Sequence, residues 1–314
     1  MSSHKIILDC DPGHDDAMAI LLALGNPSVE LLAVTTVVGN QTLEKVTHNA
    51  RALLEFAGAR HIPIAAGCPR PLVRDIQNAA EVHGISGLDG THLPEPTLPL
   101  DKRHAVDLII DTLKAHPAKT ITLVPIGGLT NIALAVRKAP EIVELVKEIV
   151  LMGGGYHTGN RSAVAEFNIA IDPEAAHIVF NEKWPLTMVG LDLTHQAKPT
   201  DAIMAKIAAL NTPISRFVVE SLNYYTAGYR QRNGYSDHAP VHDPCAVAYV
   251  IDSSMIETCK APVDIELQGT LTLGMTVTDF RAQAPADCHT QVATKLNNQR
   301  LWEMFIDALK RLDK

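Results

Sequence analysis

The chain has no basic block. Its 314 residues carry 27 Lys and Arg against 35 Asp and Glu, a formal net charge of −8. That balance argues against nucleic acid as a partner, because phosphate backbones are held by clustered Lys and Arg. Long hydrophobic runs are also missing. The apolar run at residues 17–24 is typical of the longest, and it is far below the roughly 20 residues that span a bilayer. No membrane partner is expected. No secretory signal is read, since Met1-Ser2-Ser3-His4 leads straight into an apolar strand. Cysteine is scarce: Cys10, Cys68, Cys245, Cys259 and Cys288 are odd in number, scattered, and in no metal-ligand spacing. They are expected to be reduced thiols in a cytoplasmic protein. Phosphate-binding turns are lacking too. Gly153-Gly154-Gly155 with Gly159 misses the G-x-G-x-x-G spacing, and Ile126-Gly127-Gly128 misses the Lys-Ser/Thr of a phosphate loop. Close backbone packing explains both. There is no internal repeat and no interdomain linker, so residues 1–314 are expected to form a single domain.

What the chain has instead is a concentration of carboxylates. Residues 9–16 read Asp-Cys-Asp-Pro-Gly-His-Asp-Asp, four aspartates in eight positions directly behind an apolar run. Residues 5–8 read as a short buried strand. Pro12-Gly13 turns the backbone, and residues 17–24 read as a buried helix with Asp15 or Asp16 at its start. Asp11, Asp15 and Asp16 are thereby crowded where a strand ends and a helix begins. The helix N-terminus eases their repulsion by about 0.3–1 kcal/mol per charge; a divalent cation eases it far more. Oxygen-only ligands select calcium or magnesium over zinc. The plainer account makes these residues turn formers and caps. It suits any one aspartate and not the whole cluster, since one cap needs one side chain.

The rest of the chain, 46% hydrophobic and 20% charged, has ordinary globular composition. Strand-like and helix-like runs alternate for the first two-thirds. Strands are read at 31–38, 62–66, 120–125, 148–152 and 186–191. Helices are read from Thr42, over 105–115, from Thr130 as cap, and from Asp172-Pro173-Glu174, where an N-cap precedes Pro at the first helical position. Residues 68–99 are rich in Gly and Pro and read either as a binding loop or as a solvent-exposed connection. A polar, tyrosine-bearing segment runs from Tyr224 to Tyr235. Residues 263–279 alternate around Gly269 and Gly274, suggesting antiparallel strands. Leu301, Met304, Phe305, Ala308, Leu309 and Leu312 share one face of a final helix. The pattern predicts an α/β fold. It has a single open, mostly parallel, Rossmann-like sheet with helices on both faces and a small antiparallel appendage. Ligands of such sheets bind beyond the strands' C-terminal ends. Asp11, Asn40, Ile126 and Met152 all fall there.

Further polar residues extend that edge. Asn160, Glu166 and Asn168 suit a neutral polyol, whose hydroxyls both donate and accept. Phe167 offers one wall for a flat or apolar ligand. Asn160 beside Gly159 also reads as an ordinary turn. His242-Asp243-Pro244 repeats the logic of Asp11-Pro12: His242 is the residue type suited to proton transfer near neutral pH, while Asp243 alone reads as an N-cap.

Taken together, these stretches resemble the nucleoside hydrolases, most nearly the inosine-uridine-preferring type. The resemblance rests on residues 9–16, Val38-Gly39-Asn40, Pro125-Ile126-Gly127-Gly128-Leu129-Thr130-Asn131, Leu151-Met152-Gly153-Gly154, Glu166-Phe167-Asn168 and Val241-His242-Asp243-Pro244. It extends to Tyr225 with Tyr229, Gly274-Met275-Thr276-Val277 and Cys288-His289-Thr290, and covers essentially the whole chain. Cys10 departs from the family's usual Thr. Ile126 replaces a Thr of some members, at a position used through its backbone carbonyl. The resemblance implies one calcium ion held by Asp11, Asp16, Asp243 and the Ile126 carbonyl. It implies Asp15, Asn40 and Asn168, with Asp243, on the ribose 2′- and 3′-hydroxyls. Asn160 and Glu166 would take the 5′-hydroxyl, and Met152 would line the ribose pocket. His83, Phe167, Tyr225, Tyr229 and His242 would surround the base. The implied activity is hydrolysis of the N-glycosidic bond of ribonucleosides, with Asp11 as general base and His242 as acid, in a homodimer or homotetramer.

Two other readings use the same residues. A magnesium-dependent phosphohydrolase would want Lys or Arg at the phosphate, and only Arg161 stands near these segments. A non-catalytic ribonucleoside-binding protein would keep the hydroxyl-binding residues without needing His242 or a base beside a metal.

Overall fold

The computed structural model describes residues 3–233 and 238–312. Tyr235, the end of the tyrosine-bearing segment, lies outside them.

The opening strand β1 (His4–Cys10) alternates its side chains between two cores. Ile6, Leu8 and Cys10 pack into one and Ile7 into the other, all fully buried. A strand covered on both faces belongs inside a parallel sheet, and β1 lies there. The remaining strands of that sheet are β2 (Val29–Thr36), β3 (Ile64–Ala66), β4 (Ile121–Pro125), β5 (Val146–Met152), β6 (Leu186–Val189), β7 (Ile256–Lys260) and β10 (Thr290–Leu296). Their order is β3-β2-β1-β4-β5-β6-β10-β7. Every neighbouring pair is parallel except β10 with β7. A separate antiparallel pair, β8 (Val263–Ile265) with β9 (Thr276–Thr278), forms the appendage. The expected mostly parallel mixed sheet with its small antiparallel addition is the observed architecture.

The chain winds outward from β1 in one direction through β2 and β3. It then returns to the other side of β1 with β4, so the order reverses between β1 and β4. Such a switch point opens a crevice at the strands' C-terminal ends. The helix His14–Gly25 leaves from β1 at that crevice. Its nearly all-apolar sequence is buried along almost its whole length, against the terminal helix Asn298–Leu312 and the helix Pro244–Ile251. Gly25 lets the terminal helix approach, because a Cβ there would overlap the backbone of Ala308.

Local expectations hold where the signal is local. Asp172 caps the helix Pro173–Asn181, its carboxylate accepting from Ala175 N–H at 3.1 Å. Two expectations need correction. Thr130 does not cap its helix; it is the first helical residue, and its hydroxyl donates instead to Asp172 Oδ2 at 2.6 Å. The strand read at 186–191 stops at Val189, and Leu191–Thr194 turns as a short helix that carries His195 to the sheet edge. As far as Asn233, the tyrosine-bearing segment, read without a defined conformation, belongs to a long helix, Pro213–Asn233. Tyr225 and Tyr229 are therefore one turn apart on the same face. Among the described residues no helix is long and apolar enough to cross a membrane.

Candidate active site

The floor of the crevice is built by the 9–16 turn. Asp16, at the third position of its helix, accepts from Gly13 N–H at 2.9 Å and from Asp11 N–H at 3.1 Å. It thereby pins the strand end to the helix start. From the end of β2, Asn40 N–H donates to Asp11 Oδ2 at 2.6 Å. The Asn40 side-chain amide bridges the Asp11 carbonyl at 3.1 Å and Asp16 Oδ2 at 3.0 Å. Two glycines make room for the Asp11 carboxylate: a Cβ on Gly39 or Gly127 would overlap it. Asp11 Oδ1 is buried and has no hydrogen-bond partner.

Asp243 arrives from the far end of the chain. It occupies the cap position of the helix Pro244–Ile251, yet its side chain makes no capping bond. It turns to Asp16 instead, close enough to share a hydrogen bond. Asp15, Asp16 and Asp243 each offer an oxygen within 4.8 Å of the others, a grouping that could hold a metal ion. The N-cap account of Asp243 is thus excluded, and the acidic cluster gains a member from outside its motif.

Burial dominates the electrostatics. Desolvation, with neighbouring carboxylates adding to it, pushes Asp11 and Asp243 well above the ordinary carboxylate range. Burial lifts Asp15 to about 7, with Asp16 adding to it, and raises Asp16 itself. So many buried acids require either shared protons or a cation. The donor set is oxygen throughout, and one buried oxygen is unpartnered. Both features fit a hard divalent ion.

The wall beyond is polar. Glu166 caps the short helix Phe167–Ala170. It accepts from the backbone N–H of Gly154 and Asn168, each at 2.9 Å. Burial still lifts its carboxyl to about 7. Asn160 Oδ1 accepts from Phe167 N–H at 2.8 Å. The Asn168 amide donates to the Ile126 carbonyl at 2.8 Å and to the Met152 carbonyl at 3.1 Å, joining the ends of β4 and β5.

The opposite end is aromatic. Tyr225 donates to Asp15 Oδ2 at 3.5 Å and stacks on His83, ring centres 5.5 Å apart. The Tyr225 and Tyr229 hydroxyls lie 3.4 Å apart. Tyr229 then meets His242 Nε2 at 2.9 Å, and His242 Nδ1 meets the Thr194 hydroxyl at 2.7 Å. Burial pulls His242 down to about 3 and His83 well below the ordinary imidazole value, so both rings are neutral at pH 7.

A cavity of about 340 Å³ joins these parts. Asp15, Asn40, His83, Ile126, Met152, Asn160, Glu166, Phe167, Asn168, Tyr225, Tyr229, His242 and Asp243 all line it. Asp11 and Asp16 do not, and lie buried next to the lining residues Asn40 and Asp243. Three participants escaped the sequence reading. His195 lines the cavity and faces His242 edge-on, with ring centres 5.8 Å apart. Thr194 holds His242, and His14 stacks between His83 and Tyr224. The signal for the first two was their place just after a strand end; for His14 it was the motif itself.

The inosine-uridine preferring nucleoside hydrolase model matches residues 6–303. An inosine-uridine preferring nucleoside hydrolase of Crithidia fasciculata is 61% identical over 309 residues, 98% of each chain. Its namesake from Leishmania major is 59% identical, again over 98% of each chain. Among solved structures, a purine-preferring ribonucleoside hydrolase from Gardnerella vaginalis superposes with a TM-score of 0.93 at 33% identity, covering 99% of each chain. The chain described here belongs to the inosine-uridine preferring nucleoside hydrolase family, whose members are hydrolases of the N-glycosidic bond.

Proposed function

We propose that this enzyme hydrolyses ribonucleosides, inosine and uridine among them, to free base and ribose in a calcium-dependent reaction that serves purine and pyrimidine salvage. One observation carries the reading. A single cavity holds a buried carboxylate floor, a polar wall suited to a sugar, and an aromatic end bearing a tyrosine–histidine chain. Its lining runs from Asp15 to Asp243, which supports treating residues 1–314 as one functional domain. Five unpaired cysteines are in keeping with a cytoplasmic location, and assembly as a homodimer or homotetramer belongs to the same reading.

Asp11, Asp16, Asp243 and the Ile126 carbonyl would hold the calcium ion. Asp11 joins this set because its Oδ1 is buried without a partner. The ion would supply a lowered pKa and a fixed orientation to a water molecule. Asp11 takes the proton as that water attacks C1′ from the face opposite the base, which gives inversion. Asp15, Asn40, Asn168 and Asp243 grip the 2′- and 3′-hydroxyls, with Asn160 and Glu166 on the 5′-hydroxyl and Met152 beneath the ring. The transition state resembles an oxocarbenium ion, as in O-glycoside hydrolysis, and the surrounding carboxylates favour its positive charge. His83, Phe167, Tyr225, Tyr229 and His242 enclose the base. Burial, with His195 adding to it, keeps His242 neutral in the free enzyme, and charge building on the departing base favours its protonation. A proton taken up from solvent along the Tyr225–Tyr229–His242 chain protonates His242, which passes it to the base and returns to its neutral form, while Thr194 holds the ring at Nδ1.

A panel of ribonucleosides tests the reading by release of free ribose, with and without a chelator. Inosine is expected to be cleaved only with metal present. 2′-Deoxyinosine is expected to fall by about 10⁴-fold in kcat/KM, because its loss of one hydroxyl leaves buried polar groups unpaired. Full activity after exhaustive chelation, or comparable rates for the two sugars, contradicts the assignment.

Calcium affinity is expected to weaken as pH falls. Burial raises the carboxyls of the proposed ligands Asp11, Asp16 and Asp243 above the ordinary range, so protons compete with the ion for the same oxygens as the pH falls from neutral into the acid range. Calorimetry in two buffers of different ionisation enthalpy should register proton release on binding. Affinity independent of pH over that range argues for a site already ionised.

The histidine role separates by leaving group. His242→Ala should slow inosine turnover by about 10²–10⁴-fold and spare p-nitrophenyl riboside, whose phenolate leaves without a proton. An equal drop in both kcat values assigns His242 to holding the site together.

A further inference from the structure

Asp9 is the one aspartate of the opening motif with no part in the reaction above. It sits in β1, fully buried, with strands on either side. A β-branched apolar residue would suit that position better. Its Oδ1 accepts from the Thr35 hydroxyl at 2.6 Å and from Asn131 Nδ2 at 2.8 Å, while Oδ2 has no partner. A buried carboxylate with so few bonds is costly to retain, and the chain that starts at Asn131 leads back to Asp11.

Asn131 Nδ2 also donates to the carbonyl of Thr36, the last residue of β2, at 3.0 Å. Asn131 Oδ1 accepts from Cys68 N–H at 2.9 Å. The Cys68 carbonyl accepts from Val38 N–H at 3.0 Å. Two residues on, Asn40 makes its three bonds to Asp11 and Asp16. The carboxylate of Asp9 joins the Thr36 carbonyl and the Cys68 N–H in fixing which way the Asn131 amide faces. With the amide reversed, its oxygen would oppose Asp9 and the Thr36 carbonyl, and its NH₂ would oppose Cys68 N–H. Packing leaves no other escape, since a Cβ on Gly67 would overlap the Asn131 amide. The Asp9 carbonyl also accepts from Ile126 N–H at 2.8 Å, setting the start of the loop that carries the Ile126 carbonyl.

We propose that Asp9 is a positioning residue: by orienting Asn131 it fixes the 37–40 segment, and so the Asp11 carboxylate and Asn40, beneath the cavity. This rests on the reading of Asp11 and Asn40 given under Proposed function. Asp9 lies outside the proposed ligand and substrate sets, and its side chain reaches the 37–40 segment through Asn131.

The test uses Asp9→Ala, Asn131→Ala, the double variant and Asp9→Asn. The readouts are inosine kcat and KM, calcium Kd by calorimetry, and Tm. Each Ala variant is expected to lose about 10- to 100-fold in kcat with KM changed far less, and to weaken calcium by a comparable factor. The double variant should be no worse than the poorer single, because both substitutions break one link. Asp9→Asn keeps an acceptor for Thr35 and Asn131 and should recover most of the loss. If Asp9→Ala does not fold, Asn131→Ala carries the test alone, since it removes the link and leaves Asp9 in place. Wild-type kcat and calcium Kd in folded Ala variants, whatever their Tm, overturn the proposal, as do losses that multiply in the double. Calorimetry needs no turnover. A wild-type enzyme inert toward every ribonucleoside would therefore refute the functional reading while the positioning role is still scored.

Discussion

Like charges buried together are the constraint on which this structure depends. Asp11, Asp15, Asp16 and Asp243 meet at one end of the sheet, almost wholly screened from water. Two unit charges about 4 Å apart repel by about 4 kcal/mol at the effective dielectric of a protein site. A helix N-terminus returns about 0.3–1 kcal/mol per charge, which cannot balance several such pairs. The backbone donors of Asp11, Gly13 and Asn40 hold the carboxylates in place and neutralise none of them. Cation and cluster are therefore one unit in this account. On the proposed reading, the ion would make the acids tolerable and the acids would hold it beside the sugar.

The fold serves that unit by geometry. The order of strands reverses between β1 and β4, so their ends splay and leave a crevice at the switch point. Asp11 lies just past one strand end and Ile126 just past the other. Residues after β2, β5 and β6 complete the rim. Gly39 and Gly127 are small because the Asp11 carboxylate occupies the space their side chains would need. The aromatic end comes from a different layer, the helix Pro213–Asn233, whose Tyr225 and Tyr229 reach down to Asp15 and His242. The carboxylate floor and the aromatic end of the cavity are thus joined by hydrogen bonds.

Much of this was legible in the sequence, for local reasons. The aspartate turn, the capping Asp172-Pro173 and the alternation of strand with helix are each written within about ten residues. So is the edge of the sheet on which polar residues gather. What escaped depends on distant partners. An Asp before Pro reads as a cap, and only Asp16, more than two hundred residues away, shows why Asp243 turns elsewhere. Thr130 reads as a cap until Asp172 takes its hydroxyl. His195 was hidden because β6 stops two residues early and a short helical turn brings His195 to the rim. The polar composition around Tyr224 masked a helix that tertiary packing stabilises. Asp9 looked like one more acid of the motif, and its chain to Asp11 passes through three other segments, at Asn131, Cys68 and 38–40.

On the proposed reading Asp11 combines two tasks, holding the ion and taking the proton from water. Asp11→Asn separates them, because the amide keeps one oxygen for the ion and loses the basicity. The decisive measurement is single-turnover hydrolysis of inosine by this variant, with its calcium content and its affinity for a ribose-mimicking inhibitor determined on the same preparation. Bound calcium, retained inhibitor binding and almost no turnover are expected. Near-normal turnover in a variant that still holds its calcium would contradict that reading.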